Sequence, residues 1–236
     1  MKVYGELIKA KMLTDTCIKA MFMLMDTYYD QMTYSNFVCD LSEKDYCILL
    51  KDEKGGIQGF STQKLISFPL NDGKEIHGVF SGDTIIHKDY WGSFELYKVF
   101  AQSFLKYSNQ FSEYYWFLIS KGYKTYRMLP LFFKTFYPNY LEHIPDYEKQ
   151  VMDAFGHFKY PGQYNKKTGI IEYTGEKVKL KEGVADVTFK QLKDKNIQFF
   201  INANPGHILG YDLVCLASLE PDNLKSAARR LFAGEQ

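Results

Sequence analysis

The chain has 236 residues, and its 29 Lys and Arg against 28 Asp and Glu leave a formal net charge of +1. That balance excludes a protein that tracks a nucleic-acid backbone through a basic excess. With 46% hydrophobic and 24% charged residues, wholesale disorder is excluded as well. The length suits one large domain or a domain with an appendage, and a single domain over 1–236 is expected, with 139–195 as an insertion. The outlier is aromatic content, 17% with 19 Tyr and 19 Phe, enough to fill a substantial core and to line a wide apolar pocket. No apolar run reaches the roughly 20 residues of a membrane span. The start, Met1 to Glu6, lacks the long apolar stretch of a secretory signal, so a cytoplasmic protein is expected. Cys17, Cys39, Cys47 and Cys215 form no CxxC pair and no zinc-like spacing with His77, His87, His143, His157 or His207, so reduced thiols and no metal site are expected.

In chain order, Val3 to Leu13 reads as a first strand. A helix follows Thr14, because Ile18, Met21, Phe22, Met25 and Tyr29 recur at three- and four-residue spacing. The Met-rich stripe reads as core rather than as a cofactor box. A shorter helix, Ser35 to Leu41, has Ser35 as its candidate cap. Three antiparallel strands come next: Tyr46 to Lys51, Ile57 to Phe68 and Ile76 to His87, joined by turns at Asp52–Gly56 and Asn71–Gly73. Gly78 and Gly82 inside the third strand predict a bulge or the close approach of another backbone.

At Gly92 the period changes. Leu96, Val99, Phe100, Ser103 and Phe104 fit a helix opening at the Trp91-Gly92-Ser93 turn, with Ser93 as cap. Tyr114 to Ser120 is a continuous apolar run, expected of a strand buried on both faces. A helix is expected from Tyr123 to Phe136, kinked or starting late at Pro130 and stopped by Pro138. Beyond it, Tyr147 to Phe155 reads as helix and Ile170 to Tyr173 as a short strand. Ile197 to Asn202 and Asp212 to Leu219 read as a terminal strand pair, and Asp222 to Phe232 as a closing helix.

This order of elements, strand, two helices, three antiparallel strands, helix, buried strand, helix and a terminal strand pair, resembles the Gcn5-related N-acetyltransferase superfamily. The resemblance covers roughly 3–137 and resumes at 197–219. It implies a mixed, mostly antiparallel central sheet flanked by helices (α/β, α+β), with the insertion lying before the last two strands. It also implies that two neighbouring central strands part to hold an acyl-pantetheine donor. The strings Phe80–Thr84, Tyr115–Tyr123 and Asn204–His207 also look like those of a group of bacterial proteins to which no chemistry attaches. The superfamily's phosphate loop, Gln/Arg-x-x-Gly-x-Gly/Ala, falls on Asp89 to Phe94, where Asp89 replaces Gln/Arg and Phe94 the second Gly/Ala. A strand-to-helix turn still leaves unpaired amides pointing along the helix dipole. Tyr90, Trp91, Gly92 and Ser93 are therefore the candidate donor-binding residues, with Lys121 as a candidate phosphate partner. An ordinary turn with Gly92 at positive φ is the alternative. In the superfamily's Tyr-x-x-x-Gly-Phe, Phe132 takes the place of the tyrosine that protonates the leaving thiolate, and Tyr126 is the candidate substitute.

Acyl transfer to an amine needs a group that accepts a proton. Strand alternation puts His77, Ser81 and Asp83 on one face, provided no bulge intervenes. Asp83 in an otherwise apolar strand is either hydrogen-bonded or raised in pKa by burial. His77 reads as a rim histidine, and His207 in its Pro-Gly-His turn is a further candidate. No GxSxG, HExxH, GxxxxGK[ST] or GxGxxG motif is present. The sequence thus predicts an N-acyltransferase drawing on acyl-CoA or on the acyl-phosphopantetheine of a carrier protein, with an amine or other small acceptor. It leaves open a non-catalytic binding module and a homodimer.

Overall fold

The computed structural model describes residues 2–175 and 178–233. Strand β1 (Val3–Lys9) ends earlier than expected, in a 3-10 turn at Ala10–Met12. The Thr14 hydroxyl accepts from the Cys17 amide and caps α1 (Asp15–Tyr28). Its buried stripe, Met21, Leu24, Met25 and Tyr28, meets Phe37 and Leu41 of α2 (Tyr34–Ser42), which explains the Met-rich periodicity as core. The cap of α2 is Thr33, whose hydroxyl accepts from the Asn36 amide, rather than Ser35.

Strands β3 (Tyr46–Asp52), β4 (Ile57–Pro69) and β5 (Glu75–Ile86) form the antiparallel set as expected. Cys47 and Leu49 face α1 and α2, whereas Ile48 and Leu50 face α3 (Glu95–Phe104) across the sheet. Strand β6 (Tyr114–Ser120) pairs parallel to β5, buried on both faces. A Cβ on Gly78 would lie 2.4 Å from the Tyr115 carbonyl oxygen, so the glycine is what lets β5 and β6 approach. At the other glycine the register shifts: Ser61 faces Thr84 and Gln63 faces Ser81, leaving Thr62 opposite both Gly82 and Asp83. This bulge cancels the alternation that would have grouped His77, Ser81 and Asp83. His77 bonds Ser67 and stacks on Phe111, away from the other two.

The expected helix over 123–136 is two short ones, α4 (Tyr123–Tyr126) and α5 (Met128–Phe132). Pro130 falls in the first turn of α5, where its missing N–H is not needed. From Phe133 the chain is extended and bridges to Leu224 and Leu216. Helix α6 (Asp146–Lys159) packs Val151, Met152 and Phe155 on the face of the sheet that carries Phe68, Phe80 and Phe117. Short strands β7 (Tyr164–Asn165), β8 (Ile170–Ile171) and β9 (Lys179–Leu180) follow, and β9 pairs with β2 (Tyr29–Asp30) in a ribbon of its own.

The segment 197–202, expected as a strand, lies in helix α7 (Lys195–Ala203). Ile197 and Phe200 recur at three-residue spacing and are its buried side, and Asp194 accepts from the Asn196 amide at its start. Helical spacing outweighs the β-propensity of the Ile-Gln-Phe-Phe-Ile run. Only one terminal strand, β10 (Asp212–Ser218), therefore enters the sheet, and 139–195 adds β8 and β7 beyond it. The order is β1-β3-β4-β5-β6-β10-β8-β7, with β5–β6 the one parallel neighbour pair named among the described residues. Helix α8 (Ser226–Ala233) starts later than expected, after a 3-10 turn at Pro221–Asn223. The four cysteines are free thiols, with Cys47 and Cys215 buried. No described helix is long and apolar enough to cross a membrane.

Candidate active site

Pairing between β5 and β6 runs from His77–Tyr114 to Ser81–Leu118 and stops there. Beyond that point β5 stays with β4 as far as Ile86, and β6 stays with β10 as far as Ser120. The bulge at Gly82–Asp83 turns β5 away just where pairing ends. The two strands part into a V, and the space between them belongs to a cavity of about 740 Å³. Gly82, Asp83 and Thr84 line one limb, and Ile119, Lys121 and Gly122 line the other.

The architecture is a mixed, mostly antiparallel sheet flanked by helices, with its one parallel pair, among the described residues, parting at the cavity. No protein-family model and no curated protein matches the chain. Solved structures do show a likeness. A probable N-acyltransferase of unknown function from Enterococcus faecalis is 15% identical, with a TM-score of 0.43 over 56% of this chain and 33% of its own. A GNAT family N-acetyltransferase from Escherichia coli, solved with CoA, is 12% identical, with a TM-score of 0.37 over 51% of this chain and 65% of its own. The N-myristoyltransferase of Saccharomyces cerevisiae, solved with myristoyl-CoA, is 12% identical, with a TM-score of 0.37 over 51% of this chain and 32% of its own. The matched region thus spans a third of the first of these proteins and under two thirds of the second.

The cavity wall holds three carboxylates, the buried Lys44 and the half-buried Lys121. Lys44 bonds Asp40 at 2.6 Å, its side chain almost wholly buried. Lys121 bonds Asp212 at 2.6 Å and the Gly210 carbonyl at 3.0 Å, and Tyr173 donates to the same Asp212 oxygen. Asp83 has no hydrogen bond or ion pair to a described residue. Burial, reinforced by the negative charge of Asp40 and opposed by Lys44 and Lys121, pushes its carboxyl up to about 7. Burial also raises the Tyr29, Tyr160 and Tyr173 hydroxyls, with Asp83 or Asp212 adding to the effect, so they stay protonated.

Four of the eight sequence candidates line the cavity: Asp83, Trp91, Ser93 and Lys121. The Lys121 ammonium is committed to Asp212 and Gly210, which leaves it poorly placed to hold a phosphate. Trp91 donates through its indole N–H to the Ile86 carbonyl and lies under the Lys124 ammonium, 3.2 Å from the ring centre. Ser93 accepts from the Glu95 amide, but Phe94 occupies the cap position. Tyr90 is buried and Gly92 is exposed without a left-handed φ, so the turn is not held by a positive-φ glycine. Neither lines the cavity. Nor does Tyr126, which is buried among Phe136, Phe199 and Phe200 and donates to the Pro138 carbonyl. His207 likewise turns inward, bonded to the Asn204 carbonyl and set edge-on to Phe200.

Sequence reasoning missed Tyr29, Asp40, Lys44, Tyr123, Tyr173 and Asp212. The Asp40–Lys44 pair at four-residue spacing was readable at a helix end; the others depend on long-range folding. Tyr123, rather than Tyr126, is the tyrosine of α4 on the cavity. Its hydroxyl accepts from Gln191, which leaves its own proton unengaged.

The insertion covers the V. β9 pairs with β2 on one side, Leu180 and Ala185 sit against the position of a Gly122 Cβ, and Lys124 donates to the Val184 carbonyl at 2.6 Å. Lys124 thus ties the cover both to α4 and to Trp91. Lys124→Met is expected to speed amide hydrogen exchange across 178–191 by about fivefold or more while the core amides of β4–β6 exchange as before. Mass-resolved exchange of the two proteins checks this.

Proposed function

We propose that the protein transfers an acyl group from a pantetheine-linked thioester, on coenzyme A or on a carrier protein, to a small acceptor held against Asp83. The observation that carries this reading is the V itself: two parted strands around a cavity in which one half-buried carboxylate, Asp83, has no partner among the described residues. Parted strands expose backbone N–H and C=O groups that an extended, amide-bearing chain such as pantetheine pairs with as an added strand. An acceptor N–H or O–H then passes its proton to the Asp83 carboxylate as its lone pair bonds the thioester carbonyl carbon. The C–S bond breaks, and the sulfur leaves with the electron pair and is protonated. Tyr123 supplies that proton in this scheme, its hydroxyl having no other acceptor within reach among the described residues. The aromatic lining favours a donor with a longer acyl chain than acetyl.

The test is thiol release and thermal shift with acetyl- and octanoyl-coenzyme A over an amine panel. The expected result is a rise in melting temperature with the thioesters, thiol release that climbs as pH rises through about 7 with ionisation of Asp83, and faster turnover of octanoyl than acetyl donor. No shift and no release with either donor overturns the proposal. A second reading, a binding protein without turnover, is favoured by Phe132 in the tyrosine position and by the Trp91–Lys124 contact across the mouth. It predicts a shift without release.

A further inference from the structure

A chain of buried hydrogen bonds crosses the sheet and ends at the cavity. Trp116 on β6 donates through its indole N–H to the Ser81 hydroxyl at 2.8 Å. Ser81 donates to the Gln63 side-chain carbonyl at 2.7 Å, and the Gln63 side-chain N–H donates to the Ser61 hydroxyl at 2.8 Å. The Ser61 and Thr84 hydroxyls lie 2.7 Å apart. Ser61, Gln63, Ser81 and Trp116 are buried and do not line the cavity, whereas Thr84 is half-buried and does. Thr84 stands on the free limb of the V, beyond Ser81, the last residue of β5 that pairs with β6.

The direction of this chain is fixed at its far end. An indole N–H donates and cannot accept. Ser81 therefore spends a lone pair on Trp116, and its own proton has the Gln63 carbonyl as acceptor. Turning the Gln63 amide over would make Ser81 accept twice and strand its proton inside the sheet, where an unpaired polar group costs more than the bond gains. With Gln63 held this way round, its N–H donates to Ser61. The Ser61 proton then has one acceptor among the described residues, the Thr84 hydroxyl oxygen. Thr84 accepts, and its own proton is left for the cavity, with no other partner among the described residues.

We propose that Trp116, Ser81, Gln63 and Ser61 are a positioning relay that makes the Thr84 hydroxyl an obligate hydrogen-bond donor into the V, where it holds the carbonyl oxygen of the thioester. The role toward the thioester rests on the acyl-transfer reading. Each link polarises the next, and the donor is aimed before a ligand arrives. As the lone pair of the acceptor bonds the carbonyl carbon, the C=O electrons move onto oxygen, and Thr84 donates to that oxygen without giving up its proton. When the C–S bond breaks the carbonyl re-forms, and Thr84 is unchanged. A hydroxyl free to turn would meet a ligand N–H as readily as a ligand oxygen; this one selects an acceptor oxygen.

Two measurements test the proposal. The first is a neutron crystal structure of the perdeuterated protein without a thioester. The Ser61 deuterium is expected on the line to the Thr84 hydroxyl oxygen, and the Thr84 deuterium turned into the cavity. The second is a double-mutant cycle read by thiol release with octanoyl-coenzyme A. Thr84→Val is expected to lower kcat about thirtyfold or more with KM within about threefold, and Thr84→Ser to keep kcat within about threefold of the parent. Trp116→Phe lets the chain reverse without touching the cavity, and is expected to lower kcat about tenfold or more. In the Thr84→Val background the same change should cost less than about twofold, because no donor is left to aim. A Trp116 that only packs against Phe100 and Phe133 would cost the same in both backgrounds. A Thr84 deuterium on the line to Ser61, equal losses from Trp116→Phe in the two backgrounds, or full kcat in Thr84→Val overturns the proposal. The deuterium positions need no thioester and no substitution, so failure here is distinct from failure of acyl transfer, in which the parent protein itself releases no thiol.

Discussion

Asp83→Asn is expected to lower acyl transfer by about a hundred- to a thousandfold, the loss typical of removing a positioned general base. The same variant is expected to be more stable than the parent at pH 8. In the parent, the folded-state Asp83 carboxyl is pushed up to about 7 from an ordinary value of 3.8, so between those values the native protein holds a proton that the unfolded chain has lost. A raised carboxyl of this kind contributes its stability below the unfolded value and loses it as pH rises through the folded one. At pH 8 the parent therefore carries a desolvated charge that asparagine does not. Scanning calorimetry should show the melting temperature of the variant higher by roughly 2–4 °C at pH 8, with the gap closing toward pH 5. A hydrogen-bonded structural aspartate gives the opposite sign, with the variant less stable at pH 8. The paired result, activity lost and stability gained, separates a poised base from a structural carboxylate.

Gly78→Ala is expected to carry the largest stability cost of any single methyl group added to the central sheet. The new Cβ would fall 2.4 Å from the Tyr115 carbonyl oxygen and 2.7 Å from Phe117 Cε2, and the first of these is backbone that moves only if β6 moves. Overpacking of this kind costs about 2–3 kcal/mol, read as a lower midpoint in urea unfolding. The matched control is Gly92→Ala, where nothing lies within 4 Å of the added Cβ and φ is not left-handed. It should shift stability by less than about 0.5 kcal/mol. Equal effects at the two positions would mean that the β5–β6 contact is not the tight seam from which the V opens.

Much of the scaffold was legible in the sequence because local signals and tertiary packing agree. Tyr114–Ser120 is apolar throughout and is buried on both faces; Thr14 precedes a three- and four-residue stripe and caps the helix that buries it. Gly78 and Gly82 marked, respectively, the close approach and the bulge from which the V is made. Legibility failed where two local signals competed. The Ile197–Asn202 run has strand-like residues at helical spacing, and packing of Ile197 and Phe200 into the core decided for helix. Tyr123 and Tyr126 sit in one short helix with nothing in the sequence to say which faces the cavity and which is buried behind it.

Of the floor of the site, the sequence marked Asp83 and Lys121 alone. The surroundings of Asp83 come from five separated stretches, with Tyr29 after α1, Asp40 and Lys44 around the end of α2, Lys121 after β6, and Tyr173 and Asp212 from either side of α7. No spacing rule links them, because the contacts are made by the sheet order rather than by chain proximity. His207 shows the converse. A turn histidine looked available to a pocket, yet its ring is held by a local bond to Asn204 and by Phe200.

The most direct measurement is a crystal structure of the protein with acetonyl-coenzyme A, a thioether that keeps the carbonyl and cannot transfer its acyl group. The predicted result is the pantetheine chain lying between the parted ends of β5 and β6, its amides bonded to the exposed backbone of both strands and its carbonyl directed at Asp83. An analogue bound at any other place, or the gap between the strands empty at saturating analogue, would contradict it.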